Sequence, residues 1–281
     1  MQDLFDQFIK EKRFLDNVSP KTLQYYGWTF NRWRDYVGEL PTKQNIKTFV
    51  IKVQESGVAV YTANSYIRGI NSFLSWLYEN EHIDTHLKMK KLKEPEKILK
   101  LFTEAHLKAL LIYKPKTFAQ RRLHALVCLI IDTGARIDEL LSLKRDHIDF
   151  NNLYILVKGK GNKERIIPIS IEARKVLFKF LASHDHDIVF PVRQGEKWSY
   201  RTALQQFKEW CEQLGIDGVR TSFHTLRHTF ASAYVRDGGN ILYLQRILGH
   251  SDLSVTKIYV KPQPSDLKLM SKKTSLVTRL K

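Results

Sequence analysis

Residues 223–260, FHTLRHTFASAYVRDGGNILYLQRILGHSDLSVTKIYV, decide how this chain is read. His224 and Arg227 lie three apart, so on a helix both side chains leave one face a turn from each other and can reach one ligand. The Gly238–Gly239 pair breaks that pattern. Asn240 can cap a new helix, for which Ile241, Leu244, Ile247 and Leu248 supply an apolar stripe. Gly249 is its natural stop. His250 therefore falls at a tight junction, Ser251 can cap a further short helix, and Tyr259 follows near that helix's end. The reactive side chains come in the order His, Arg, His, Tyr.

Two upstream words belong with this stretch. TGARIDELLSL (133–143) places Arg136 after a Thr-Gly, with Glu139 one helical turn on. VKGKGNKERIIPI (157–169) joins two β-rich runs, Leu153 to Lys158 and Arg165 to Ile169, through a glycine-bearing turn that carries Lys160. It is the only convincing sheet signal in the chain. The set, with the strings HTLRH, LGHSDLSVT and IY, resembles the tyrosine site-specific recombinases, the Xer-type and phage-integrase family.

The resemblance implies a mainly α fold in two domains: an N-terminal four-helix SAM-like core-binding bundle, and a mostly helical catalytic domain with a small antiparallel β-sheet. It implies Arg136, Lys160, His224, Arg227, His250 and Tyr259 as catalytic residues, with Glu139 supporting them from behind. Cleaving a phosphodiester by direct attack places extra negative charge on the non-bridging oxygens of phosphorus. Two guanidiniums can hold that charge with fixed, bidentate donors, so neither a metal nor a cofactor is expected. Tyr259 would be the nucleophile, forming a 3′-phosphotyrosyl bond and releasing a 5′-hydroxyl. His224 would accept its proton, Lys160 would protonate the leaving oxygen, and His250 would donate to a phosphate oxygen. Because the ester's energy is kept in the tyrosyl bond, strands can be exchanged through a Holliday junction without ATP. The expected function is site-specific recombination, for chromosome-dimer resolution or for integration and excision of a mobile element. A type IB topoisomerase-like nicking-closing enzyme and a non-catalytic DNA-binding protein on the same fold are the alternatives.

Each residue also has an ordinary reading. Arg136 and Glu139 could be a surface i,i+3 pair. Lys158 and Lys163 rival Lys160 on the same hairpin. His224 and His228, four apart, could suggest a zinc pair, but HTLRH lacks the glutamate of the zincin word and the sequence places no third ligand.

Charge fits a polyanionic partner, here double-stranded DNA. The 46 Lys and Arg against 29 Asp and Glu give a net +17. Sixteen of these bases and twelve of these acids fall in the first 101 residues, leaving a net +13 with the proposed site. Cys128 and Cys211 lie far apart inside apolar or helical patterns, which suits a reducing compartment better than a disulfide framework. No apolar run is long enough to span a bilayer and the N-terminus is not a signal peptide, so a cytoplasmic, nucleoid-associated protein is expected.

Residues 1–87 read as the helical DNA-binding domain. Ser19-Pro20 opens a helix toward Val37 in which Tyr25, Tyr26, Trp28, Phe30, Trp33 and Tyr36 interleave with Lys21, Arg32 and Arg34. The aromatics are read as core, with Arg32 and Arg34 offered to the DNA backbone. Further helices are expected over roughly 42–55 and 61–79. Residues 88–101, with six lysines from Lys88 to Lys100 and little to bury, read as a basic linker, either solvated or lying along phosphates through residues such as Lys97. Residues 102–281 form the catalytic domain. Helices are expected from Thr103 to Ile112, Ala119 to Asp132, Ile171 to Leu181 and Tyr200 to Leu214, the last presenting Arg201 and Lys208 as groove or backbone contacts; Lys158 and Lys163 are further DNA-contact candidates. The tail from about Pro262 carries Leu267, Leu269, Met270, Leu276, Val277 and Leu280 with five basic residues and one acid, too little for its own core. In the family such a tail docks into a neighbouring protomer of a homo-tetramer, or of a hetero-tetramer with a related recombinase; packing within the chain is the alternative. The two domains would close on duplex DNA as a C.

Overall fold

Helices begin where the sequence offers an acceptor for orphan amides. Ser19 Oγ takes the amide of Thr22, Pro20 fills the first helical position, and α2 runs Pro20–Tyr36. Thr42 and Asn45 cap each other's amides at the start of α3, Lys43–Glu55. With α1, Gln2–Phe14, and α4, Val60–Glu79, these complete the N-terminal bundle. The structure is a computed structural model that describes residues 1–95, 100–159, 164–192, 195–250, 252–257 and 259. It divides into two compact units, Met1–Ile98 and Leu99–Lys281. Among the described residues no helix is long and apolar enough to cross a membrane.

The aromatics of α2 split by helical face. Phe30 stacks on Phe5 with ring centroids 3.9 Å apart, and Trp33 packs on Phe49, so both are core. Trp28 is 61% exposed and departs from the core reading of this helix. Arg32 and Arg34 are exposed, with Arg32 3.7 Å from Asp35.

The basic stretch after α4 differs from the expected linker at its front. Leu87 and Met89 are buried, and two asparagines two turns apart on α4 grip the following backbone. Asn71 donates to the Met89 carbonyl and accepts its amide, both at 2.9 Å. Asn64 does the same with Leu92, at 2.9 and 2.8 Å. Side-chain amides thus replace a neighbouring strand, which a count of charges could not reveal. Lys97 lies outside the described residues.

In the second unit α5, Glu104–Ile112, follows its Thr103 cap, and α6, Phe118–Thr133, runs buried through the middle of the core. Gly134 ends α6 in the left-handed conformation, φ 61°, and α7, Ile137–Leu141, follows at once with Arg136 as its N-cap residue. The sheet is three-stranded and antiparallel in the order β1, Ile148–Asp149, β2, Tyr154–Lys158, and β3, Glu164–Pro168. β2 and β3 pair from Tyr154 with Pro168 to Lys158 with Glu164, matching the expected hairpin apart from the short extra strand. Then come α8, Ile171–Leu181, α9, Tyr200–Gln213, α10, Phe223–Arg236, α11, Ile241–Leu248, and α12, Leu253–Lys257. Asn240 caps α11 and Gly249 stops it at φ 63°, as its sequence dictates.

Candidate active site

Ser222 accepts the amide of Thr225 and starts α10, which places Arg227 on the inner side of the helix at only 4% exposure. Burial of a guanidinium requires its donors to be met. Arg227 Nη1 donates to the Gly134 carbonyl at 2.8 Å, and Nη2 donates to the Leu248 carbonyl at 2.8 Å and to His250 Nε2 at 3.0 Å. Burial lowers its pKa to about 10, with Arg136 adding to the fall and Glu139 opposing it, so it stays cationic at neutral pH.

Arg136 enters from α7. Its Nη1 lies 3.0 Å from Glu139 Oε1, its Nη2 donates to the Gly249 carbonyl at 2.9 Å, and 40% of its side chain is exposed. Glu139 also takes the amide of Arg136 at 2.8 Å. Its other partner is Arg165 of β3, a residue that the sequence analysis did not assign. Arg165 binds both carboxylate oxygens, at 2.7 and 2.8 Å, and donates through Nε to the Ile247 carbonyl at 2.9 Å. Burial alone would raise the Glu139 carboxyl; the hydrogen bonds and charge of Arg165, with those of Arg136, outweigh it and hold the pKa below the usual value. A signal for Arg165 was present: Ile167 faces the core, so with a period of two Arg165 must also face in.

Three consecutive carbonyls at the end of α11, those of Ile247, Leu248 and Gly249, therefore receive Arg165, Arg227 and Arg136 in turn. A helix C-terminus leaves such carbonyls unpaired and carries partial negative charge, so it is a natural seat for cations. Gly249 also lets Arg165 pass, because a Cβ there would sit 2.8 Å from the guanidinium carbon.

His250, the expected phosphate donor, is hydrogen-bonded within the protein in this structure. Its Nε2 receives Arg227, so the ring proton lies on Nδ1 and meets Thr256 Oγ1 at 2.9 Å. Burial, then Arg227, Arg136 and Arg165, push its pKa down to about 4. Thr256 is buried on α12, which brings Tyr259 back toward α10. The Tyr259 ring is half-buried against a small apolar cluster that includes Ala231, Leu244 and Leu248.

The Tyr259 hydroxyl lies 2.6 Å from His228 Nδ1. His224 is the expected acceptor of its proton; the described contact of the hydroxyl is to His228. Positions 224 and 228 share a face of α10, but the apolar cluster seats the tyrosine at the second turn, beside 228. His224 is exposed and packs on His228 with ring centroids 4.2 Å apart. Partial desolvation, followed by Arg227, Arg220 and Arg136, lowers its pKa. Burial, then His224 and Arg227, push His228 down to about 4. The Tyr259 phenol is raised by burial, with Arg227 pulling the other way.

The structure thus gathers Arg136, Glu139, Arg227 and His250 in one hydrogen-bonded network, and sets Tyr259 and His224 around the residue next to Arg227. Arg201 and Lys208 are exposed on α9, seven residues apart and so on one face. Lys158 pairs with Glu164 at 3.1 Å. Lys160, Lys163, the Ser251 cap and the tail from Pro262 lie outside the described residues. The described residues include no group of three or more His, Cys, Asp or Glu that could hold a metal ion.

Residues 100–266 match the phage integrase family. Over 272 residues the chain is 28% identical to tyrosine recombinase XerA of Thermococcus onnurineus, covering 95% of this chain and 93% of that one. Over 185 residues it is 34% identical to tyrosine recombinase XerD of Vibrio cholerae, covering 63% and 61%. Its fold is similar to that of the Tn1549 transposon integrase in complex with circular intermediate DNA, with TM-score 0.79, 17% identity and coverage of 97% and 99%. It is also similar to the XerH site-specific recombinase bound to difH substrate before cleavage, with TM-score 0.71, 18% identity and coverage of 95% and 82%.

Proposed function

The chain belongs to the phage integrase family, as a tyrosine recombinase of the Xer type, and from that premise we propose that it cuts and rejoins duplex DNA at specific sites through a covalent bond to Tyr259. The observation that carries this reading is the seating of Arg136 and Arg227 on one helix terminus, with the Tyr259 hydroxyl on the residue that follows Arg227. Arg136 and Arg227 hold the scissile phosphate, and Glu139 keeps Arg136 in place. Attack by Tyr259 leaves a 3′-phosphotyrosyl strand, and Lys160 supplies the proton for the departing 5′-oxygen. His224 and His250 line the phosphate, His250 exchanging its bond to Arg227 for one to a phosphate oxygen when DNA is present. Repeating the step between partners passes through a Holliday junction.

The first unit acts as the core-binding domain and the second as the catalytic domain. Exposed Arg32, Arg34, Arg201 and Lys208, with Lys97, Lys158 and Lys163, contact the phosphate backbone, giving an affinity that falls steeply with salt. The active form is a tetramer on DNA in the cytoplasm, of this chain alone or with a related recombinase, joined through the tail. In support, the second unit carries a groove of about 650 Å³ lined by apolar residues that include Leu107, Leu111, Ile131 and Val176 and by acids that include Asp132 and Asp237. The tail's leucines and five basic residues complement both features. Deleting residues 265–281 is expected to abolish higher-order assembly on DNA, seen as loss of the slowest species in a mobility-shift gel; unchanged assembly would remove the tail from this role.

Mapping where the purified protein protects and cuts its own genome's DNA would supply the site. A nicked suicide duplex of that site should then trap a covalent protein–DNA adduct that is absent with Tyr259→Phe. No adduct, or one that survives the substitution, overturns the reading.

A further inference from the structure

The residue in contact with the nucleophile is one to which the sequence analysis gave no part in the chemistry. Tyr259 Oη and His228 Nδ1 are 2.6 Å apart, within reach for direct proton transfer, and the two rings lie with centroids 5.5 Å apart. The groups that face His228 are His224 and Arg227 on its own helix, His250 after α11, and Tyr259 after α12. Among these groups only Tyr259 has a proton to lose in the reaction proposed above. We propose that His228 is a catalytic residue: it takes the phenol proton of Tyr259 as the tyrosine attacks, and returns it when the strand is rejoined.

The assignment rests on the reading of Tyr259 as nucleophile, and the step balances without any further reactant. The Tyr259 Oη–phosphorus bond forms and the phosphorus–O5′ bond breaks. The phenol proton moves to His228 Nδ1, and the 5′-oxygen takes its proton from a separate acid, Lys160 in the reading above. In the reverse direction the 5′-hydroxyl attacks and gives its proton to that same acid, while Tyr259 leaves and recovers its own from His228. The Tyr259 phenol stands above its usual pKa and His228 at about 4, so full transfer before attack is strongly uphill. The proton therefore moves as the oxygen–phosphorus bond forms. Charge building on the phosphate beside the imidazole then favours the imidazolium, which burial, His224 and the cationic Arg227 otherwise oppose. His224, exposed and edge-on to His228, is left to the phosphate side of the site.

The test uses the full chain and the nicked suicide duplex, comparing wild type with His228→Asn, His228→Ala, His224→Ala and Tyr259→Phe, with DNA binding and thermal melting followed in parallel. Asparagine offers an oxygen near the Nδ1 position, so it keeps the hydrogen bond but cannot take the proton. Both His228 variants should cleave ~10²- to 10⁴-fold more slowly at neutral pH, the usual worth of a general base. The deficit should shrink as pH rises toward ionisation of the phenol, with DNA binding unchanged. It should also persist on a substrate whose 5′-bridging oxygen is replaced by sulfur, since a thiolate leaves without a proton. Wild-type cleavage by His228→Asn, rescue by the sulfur substrate, or this pH signature in His224→Ala alone would overturn the assignment while leaving Tyr259 as nucleophile. A wild-type protein that forms no adduct would instead sink the underlying reaction, and this assignment with it.

Discussion

The two ends of the candidate site are held in different ways. At the cationic end, three guanidiniums are fixed to three consecutive backbone carbonyls and braced by a buried carboxylate. At the nucleophilic end, the described side-chain hydrogen bond of Tyr259 is one contact, to His228, with an apolar cluster around its ring. The charge proposed to meet a phosphate is thus positioned by folding itself, so its reorganisation cost would be met before DNA arrives. Tyr259, the proposed nucleophile, is held among the described residues by a single side-chain hydrogen bond between two titratable groups. On the proposed reading, the scaffold for the phosphate and the apparatus that attacks it should be separable by mutation.

The largest expected effect comes from the guanidiniums, and it divides them. Arg136→Ala and Arg227→Ala should each lower the rate of adduct formation by ~10³- to 10⁵-fold, by analogy with arginines that stabilise transferring phosphoryl groups. Their effects on folding should differ. Removing Arg227 leaves the Gly134 and Leu248 carbonyls buried without partners, at about 1–3 kcal/mol for each orphaned group, whereas the half-exposed Arg136 should cost about 1 kcal/mol or less. Chemical denaturation of the two variants measures this; equal loss of stability would show that the cationic end is not built on Arg227.

The brace is the next target. Arg165→Met removes two of the four hydrogen bonds to Glu139 and leaves a carboxylate that is 5% exposed with Arg136 as its remaining charged partner, which should cost up to about 3 kcal/mol. Adding Glu139→Gln should recover much of that stability without recovering cleavage, because Arg136 then loses its charged support. A double variant no more stable than the single one would mean that Arg165 acts through packing.

The smallest effect is on pH dependence, and it sharpens the nucleophilic end. His228 and His250 both sit at about 4, against an ordinary value of 6.5. Between those values the unfolded chain binds protons that the folded chain refuses. The stability they confer is therefore complete above about pH 6.5 and is lost as pH falls toward about 4. Thermal midpoints followed over that range should fall for the wild type and fall less for His228→Asn combined with His250→Asn; parallel curves would contradict the burial of these rings.

Much of this was legible in the sequence because it is local. The caps at Ser19, Thr103 and Asn240, the stop at Gly249 and the word HTLRH each act within a few residues, and the structure has helices where they place them. What escaped is long-range. Arg165 meets Glu139 across 26 residues and Ile247 across 82, so its inward direction could be inferred from strand alternation but not its destination. His228 meets Tyr259 across 31 residues, and spacing on α10 could not choose between 224 and 228, since both share a face. The grip of Asn64 and Asn71 was hidden because asparagines on a helix usually signal nothing about a distant backbone.

That grip changes what the basic stretch beyond α4 is. Between 87 and 90 the chain alternates as a strand does, Leu87 and Met89 inward, Lys88 and Lys90 outward. These ammonium groups stand on backbone already immobilised when the bundle forms. Fixing a residue's backbone costs about 1–2 kcal/mol of conformational entropy, and for this part of the run that cost falls on folding and not on any later encounter with a polyanion.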